Sequence, residues 1–548
     1  MRVADEAGRS LGFPQIPFEG RDDPLHSGIT YLRGIGKEEN IPPTLWRLHN
    51  AFYDLTDFAT LHPGGVDWIA RSRGADITEA YEAMHPDQSV SSVLLKKYFV
   101  RNVPAEHLHR VSPLTFHEDG FYKTLQARAL PIIRAIKASK AGKKPSALDA
   151  SLPTREAKLL RHGNIKDNSY TSRLILDMQL FAYIVCLTLA ATSGSYLASM
   201  AASIAAALVS LSAHNFFHQR NNWRMWTHDV TGFTVAQWRT SHAMSHHFFA
   251  NTMMDMEVSH WEPFMYLLPK QQGPVGKGAH VLAVIGANIM MGLASTISLF
   301  QQIAGTVIEA SRCLSNPDKL AQNQLSLDWL IVRQQIKSLI ITLSQPLIFL
   351  SLALATRGIP FETIAHQYLF QHLFASWVFL SVGLYTSHHQ EDVWHQGDKV
   401  QRRSEIEPPP VQVDFGLFQL LELRDKVETT NSLWMNINSY GDHALHHLYP
   451  TIDQANLPYL YPLLMDHCRR FHVPGPDKIM TGGSIGVDGT LVTKTGQPKA
   501  DECGNGEEEE DEVRTSESRL EATRLPFSDG MWITSYVAMR GFYRTVVR

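Results

Sequence analysis

Ser241–Glu257 reads SHAMSHHFFANTMMDME and packs His242, His246 and His247 into six residues. Neutral imidazole is the commonest protein ligand for transition metals. On a helix, positions i and i+4 share a face with i+5 close by, so this segment predicts three rings turned one way. Two more clusters repeat the pattern. His214 and His218 stand at i, i+4 in HNFFHQR. His443, His446 and His447 stand at i, i+3, i+4 in HALHHLYP, which Pro450 closes. One HxxxH pair beside a membrane is ordinarily an interfacial helix face. Three clusters, each next to an apolar run, predict metal binding. Together they exceed what one tetrahedral zinc needs and suit two ions. Iron fits if oxygen is to be activated; ligand number alone leaves zinc and copper open.

The apolar runs flank these clusters. Leu174–Thr192 and Tyr196–Ala213 meet across Ser193-Gly194-Ser195 and predict a helical hairpin that returns the chain at His214. Each approaches the roughly 20 residues that span a hydrocarbon core. Ser338–Thr356 and Gln367–Ser387 form a second pair, and Val281–Phe300 stands alone. If all five crossed, the early and late histidines would face opposite sides and could share no ion. Val281–Phe300 is therefore expected to be interfacial or re-entrant. Asp177 is expected at the membrane interface, and Trp223, Trp226, Trp238 and Trp261 as interfacial anchors or as the lining of a slot.

The 548 residues carry a formal charge of -4, which offers no basic field for nucleic acid, and hydrophobic content is 44%. Cys186, Cys313, Cys468 and Cys503 lie far apart without CxxC, which argues against a disulfide framework or a zinc ribbon. The polar start argues against a cleaved signal peptide. Residues 1–40 are expected as a flexible lead-in, 41–103 as a compact module, and 104–173 as a basic amphipathic linker. The positive-inside tendency puts that linker on the cytosolic side. A histidine-bearing membrane domain is expected over 174–475. A tail over 476–548 includes the acidic block Glu507–Glu512, expected to be disordered.

Within the front module, LWRLHNAFYDLTDFATLHPGGVDWI spans Leu45–Ile69. Pro63-Gly64-Gly65 forces a turn after His62 and presents its ring on a tight corner. His85 follows in ITEAYEAMHPDQS, where Pro86 ends a helix just beyond it. The two rings could face one another across a flat cofactor, with His49 a weaker competitor.

The stretch from Ile41 to Val103, with YDLTDF, HPGG and LLKKYFV, resembles the cytochrome b5 haem domain. That resemblance implies haem b with His62 and His85 as axial ligands. Two axial side chains leave iron no open position, so such a haem carries single electrons. The three clusters resemble the histidine boxes of membrane fatty-acid desaturases and related hydroxylases over about residues 170–460. Asn251, Asp255 and Glu257 recur at familiar places after the second box. The fold implied is a small α+β cytochrome b5-like domain followed by an all-α polytopic membrane domain of two helical hairpins. NIPPTLWRLHNAFYDLTDF brings the insect cytochrome b5-related proteins nearest.

The combined resemblance implies an oxidoreductase that desaturates a fatty acyl chain at a di-iron centre. Its metal ligands would be His214, His218, His242, His246, His247, His443, His446 and His447. Some members use an extra ligand after the last membrane helix, which His388 or His389 would supply, with His395 weaker. The partners implied are an acyl lipid, molecular oxygen and a cytochrome b5 reductase. The location implied is the endoplasmic reticulum membrane, multi-pass, with haem and boxes cytosolic. Two departures keep alternatives open. His443 stands where front-end desaturases carry Gln, and the second box is one residue longer than HxxHH. A fatty-acyl or sphingolipid hydroxylase is one alternative. A membrane-anchored haem electron carrier without desaturase turnover is the other.

Overall fold

A computed structural model describes residues 10–15, 28–142, 165–259, 268, 277–315, 324–356, 358–383, 388–389, 393–398, 412–425, 429–430, 432–471 and 473, with a short hairpin at 484–485 and 491–492. Trp261, most of the basic linker residues and the acidic block Glu507–Glu512 lie outside this set.

Within residues 1–40, the described residues 10–15 and 28–40 are packed. Leu11 and Phe13 are buried, and the ring of Phe13 lies 5.0 Å from that of Phe418 and 6.5 Å from that of Phe249. Helix α1, Gly28–Glu38, buries Ile29, Tyr31, Leu32 and Ile35. The periodicity of that apolar face outweighed the polar composition around it.

The front module is small and mixed. Strands β1 (Trp46–Leu48), β2 (Ala51–Tyr53) and β3 (Phe99–Asn102) make an antiparallel sheet in that order. Helices α2 (Val66–Arg71), α3 (Thr78–Met84) and α4 (Ser91–Leu95) complete it. Gly65 sits at φ 122, a conformation closed to side-chain-bearing residues, and so makes the corner after His62. Strand β4, Leu114–Thr115, then pairs in parallel with β5, Val413–Asp414. This joins the linker region to the late part of the chain. Helix α5, Phe121–Lys140, buries Phe121, Tyr122, Leu125, Ala129, Ile132, Ile133 and Ile136, whose spacing of three and four residues lines one face.

Helices α6 (Ser169–Ser193) and α7 (Tyr196–Phe217) form the first hairpin. Gly194, in the left-handed conformation at φ 67, ends α6, and the Ser195 hydroxyl caps α7. Helix α8, Val235–Ser241, carries the chain into the second histidine cluster. Helix α9, Lys277–Leu314, has 38 residues without a break. Helices α10 (Gln324–Thr356) and α11 (Phe361–Gly383) form the second hairpin. Ile359 lies where a Cβ on Gly194 would come within 3.7 Å, so the two hairpin turns meet at one end. His214, Gly383 and Tyr440 lie at the other. Late helices α12 (Phe415–Leu421), α13 (Leu433–Asn438), α14 (His443–Leu448) and α15 (Tyr461–Arg470) pack below that end.

Among the described residues, four helical stretches are long and apolar enough to cross a membrane: Ser169–Ser193, Tyr196–Phe217, Ile285–Leu314 and Leu327–Thr356. The chain is a membrane protein with a mostly helical second domain. Apolar side chains such as Phe181, Leu197, Ile289 and Leu347 point outward, which suits hydrocarbon rather than water. Asp177 is half-exposed at the box end and pairs with Arg224 at 2.6 Å, as an interfacial carboxylate does.

The re-entrant reading of Val281–Phe300 is corrected, because the stretch lies inside one continuous helix. At about 1.5 Å per residue, α9 far exceeds the thickness of a hydrocarbon core. Its contacts run along the box side. Met291 packs with Met253 and Val258, Ser298 bonds Gln237 at 2.6 Å, Gln302 bonds Thr234 at 3.1 Å, and Arg312 reaches Thr30 at 3.4 Å. Against the second hairpin, its Met291 carbonyl and Asn288 meet Ser376 and Trp377, in the upper half of α11.

Candidate metal centre and haem cleft

The second histidine cluster is wound differently from the first and third. His242–His246 is a π-helical turn, and the N–H of His247 donates to the carbonyl of His242, five residues back. The wider turn absorbs the extra residue of HxxxHH and swings His247 under His242, so that their Nε2 atoms stand 3.0 Å apart. Single π turns of this kind cost regular hydrogen bonding and persist where side chains must be re-aimed. His214 comes from the last turn of α7, and His218 caps it. His443, His446 and His447 come from α14.

The rings converge. Ligand-capable atoms of His214, His218, His242, His247 and His446 all lie within 4.8 Å of one another, and those of His246, His388 and His447 form a second such group. His443 joins the second group through Nε2, 2.9 Å from Nε2 of His388. The two groups are neighbours, since the rings of His247 and His447 stack at 4.2 Å. All of these imidazoles are buried. The residues expected from the sequence therefore meet in one place. Of the two candidates after α11, His388 joins them. His389 lines the pocket beside them but joins neither group, and sets Nδ1 3.0 Å from Nε2 of His395.

Carboxylates hold the rings from behind. Nδ1 of His242 lies 2.7 Å from Glu257, Nδ1 of His246 lies 2.9 Å from Asp255, and Nδ1 of His388 lies 2.7 Å from Glu422. The other oxygen of Glu422 is 3.2 Å from Nδ1 of His447, which also meets Gln419 at 3.0 Å. A carboxylate on Nδ1 keeps the proton there and leaves the lone pair on Nε2. The Nε2 of His242 then presents a lone pair to Nε2 of His214 at 2.8 Å and of His247 at 3.0 Å. At that distance either a proton on the facing nitrogen or a cation among the three must separate the lone pairs. The Nε2 of His447 is buried and makes no hydrogen bond. Burial alone would push the His246 imidazole down, yet Glu257 and Asp255 beside it hold it up to about 10. The donor set thus fits two cations held by imidazole nitrogen.

Asn251, at φ 58, ties the site's outer walls by donating its side-chain amide to the carbonyls of His388 and Glu422, each at 3.0 Å. Glu422 and Gln419 were not legible as site residues. They sit on or just after α12 in VDFGLFQLLELRD, where no spacing marks them. Beside the second group a narrow pocket is lined by Trp238, Val258, Phe379, Leu380, Gly383 and Tyr440. Trp238 is therefore a lining residue. Trp223 is exposed beside Arg224, and Trp226 is buried under Lys337. Gly383 keeps the pocket open, since a Cβ there would meet the Tyr440 ring at 3.5 Å.

In the front module, His62 and His85 face each other with ring centroids 6.2 Å apart. Two metal–nitrogen bonds of about 2 Å, plus the half-width of each ring, require about that separation. Nδ1 of His62 lies 3.0 Å from the Gly65 carbonyl, and Nδ1 of His85 lies 3.0 Å from that of Tyr81, which turns both Nε2 atoms inward. Burial holds both imidazoles neutral: His62 is lowered, and His85 is pushed down to about 4. The geometry fits an axially bonded haem. His49 is spent elsewhere, on Glu82 at 2.8 Å.

Comparison with known proteins agrees with both halves. Residues 37–104 match the family of the cytochrome b5-like haem/steroid binding domain, and residues 188–475 match the fatty acid desaturase family. The cytochrome b5-related protein of Drosophila melanogaster is 31% identical over 77% of this chain and 81% of its own length. The Delta(5) fatty acid desaturase A of Dictyostelium discoideum is 22% identical over 77% of this chain and 84% of its own. The acyl-lipid (8-3)-desaturase of Mortierella alpina is 22% identical over 77% and 87%. No solved structure matches the chain.

Proposed function

The chain belongs to the fatty acid desaturase family, with a cytochrome b5-like domain at its front, and from that premise we propose an oxygen-dependent acyl desaturase fed by its own haem. It is an oxidoreductase acting on lipid. The finer reading adds a di-iron centre held by His214, His218, His242, His247 and His446 on one side and by His246, His388, His443 and His447 on the other. The observation that carries this reading is the convergence of distant imidazoles whose Nε2 atoms face one another while carboxylates hold Nδ1.

Methylene hydrogens are inert to side chains, and a bound pair of irons supplies the oxygen chemistry that can remove them. The chain does the rest. Trp238, Phe379 and Leu380 offer a dry wall to an acyl tail and exclude water. Asp255, Glu257 and Glu422 hold the protons of His246, His242 and His388 at Nδ1, so that each ring keeps one tautomer through turnover. His62 and His85 hold haem b as a one-electron carrier. In balance, the acyl chain loses two hydrogens, and oxygen with two electrons and two protons leaves as two waters. A cytochrome b5 reductase on the cytosolic face of the endoplasmic reticulum would supply those electrons.

Lipid profiling after expression in a host lacking the activity tests the reading. The wild type is expected to add a double bond, and His62→Ala and His446→Ala to give no product. An inserted hydroxyl would turn the reading to a hydroxylase. Products persisting in both variants would overturn the assigned metal site and electron route. A second expectation separates neighbours: His388→Ala loses iron from the purified protein, whereas His389→Ala retains it. Equal iron in both would remove His388 from the set.

A further inference from the structure

The front module is packed against the histidine-bearing domain through charge that water does not reach. Asp67 pairs with Arg239, their side chains 3% and 0% exposed. Asn221 donates to the other Asp67 oxygen at 3.1 Å, and Arg71 donates to the Thr240 hydroxyl at 3.1 Å. The Arg239 guanidinium lies 4.6 Å over the Trp68 ring and donates to the carbonyl of Phe217, the neighbour of His218. The fit at the HPGG corner is close: a Cβ on Gly65 would come 2.2 Å from the Asn221 amide. Parting these surfaces would break all of these contacts together, with water rehydrating the charges they free.

Three hydrogen-bonded bridges join the segments that bear the axial rings to the segments that bear the boxes. The Gly64 carbonyl, just after His62, accepts from the Asn221 N–H at 3.0 Å, just after His218. The Met84 carbonyl, next to His85, accepts from the Thr451 hydroxyl at 3.1 Å, shortly after His447. The buried Tyr122 hydroxyl stands between the Glu82 carbonyl at 3.1 Å and that of Leu448 at 3.2 Å, and Leu448 adjoins His447.

We propose that the haem module works docked, without leaving the membrane domain between electrons, and that the Asp67–Arg239 clamp and the Gly64, Met84 and Tyr122 bridges form its electron path. The inference rests on the desaturase reading above. In each transfer a bound haem would pass from ferrous to ferric and one iron ion at the imidazole-held site from ferric to ferrous. NADH, through a flavin reductase, would re-reduce the haem twice per hydride.

The test uses the full-length protein carrying haem and iron in detergent. Haem is reduced with NADH and cytochrome b5 reductase, then mixed with oxygen and acyl substrate while its absorbance is followed. Asp67→Ala is expected to slow haem reoxidation more than about tenfold, as loss of one partner of a buried charge pair does for docked surfaces. The haem spectrum and its reduction by the reductase should not change, and hydrogen exchange should rise at 219–223 and 239–241. Tyr122→Phe with Thr451→Val removes two bridges and leaves the clamp. It is expected to slow reoxidation with exchange at the clamp unchanged. Reoxidation at the wild-type rate in the double variant, or in Asp67→Ala with raised exchange, overturns the proposal. If Asp67→Ala does not fold, the double variant decides. If wild-type reoxidation ignores removal of the iron, the desaturase reading fails instead, and exchange protection still reports whether the module docks.

Discussion

His246→Ala is expected to abolish product and to lower bound iron. The ring packs 4.4 Å from that of His388 and 5.4 Å from that of His447, so its loss opens the second group of ligands. Deleting a buried side chain normally destabilises by leaving a cavity. Here the deletion also strands Asp255 and Glu257, which the ring partners at 2.9 and 3.6 Å, so the metal-free variant melts earlier as well. The wild type should gain melting temperature when iron is added, because an ion that binds only the folded state stabilises it by mass action. The variant should lose most of that gain. The checks are iron content and melting curves with and without a chelator. Wild-type iron content in the variant, or the full wild-type gain in melting temperature on adding iron, would mean that His246 is an ordinary core residue.

Glu422→Gln comes second in size. The side chain touches no proposed ion, yet its two oxygens stand 2.7 Å from Nδ1 of His388 and 3.2 Å from Nδ1 of His447. A glutamine keeps the volume and one acceptor, but it turns an amide donor toward one of the two rings. Turned toward His388, the amide forces that ring to offer N–H, not a lone pair, to the site; turned toward His447, whose Nδ1 also meets Gln419, it removes the negative charge behind both rings. Loss of such an outer partner commonly costs about 10–100-fold in metal affinity or activity. The expected result is a competition assay showing iron held that much more weakly, with haem content unchanged. Wild-type affinity in the variant would show that Glu422 does not orient the rings.

Much of this site could be read before any fold was known. The i, i+4 spacing of His214 and His218 and the i, i+3, i+4 spacing of His443, His446 and His447 each define one helix face, because the period of the helix is fixed by its own backbone. The corner at His62 followed from Pro63-Gly64-Gly65 for the same local reason. The choice between His388 and His389 was not legible, because they are adjacent and only the position of Glu422 tells them apart. From sequence the stretch Val281–Phe300 is expected to be interfacial or re-entrant, because five crossings would part the early and late histidines. In α9 Ser298, Gln302 and Thr306 are buried against the domain, while Ile289, Leu293 and Phe300 stay exposed.

The chain itself determined which residues could bind metal and haem, and in which local groups, since those follow from side-chain chemistry and short-range backbone periodicity. Tertiary structure alone decided how a π turn brings Nε2 of His242 and of His247 within 3.0 Å, which carboxylate stands behind which ring, and that Asp67 meets Arg239. These are contacts between segments far apart in sequence, set by how whole faces pack, and spacing along a chain carries no measure of that distance.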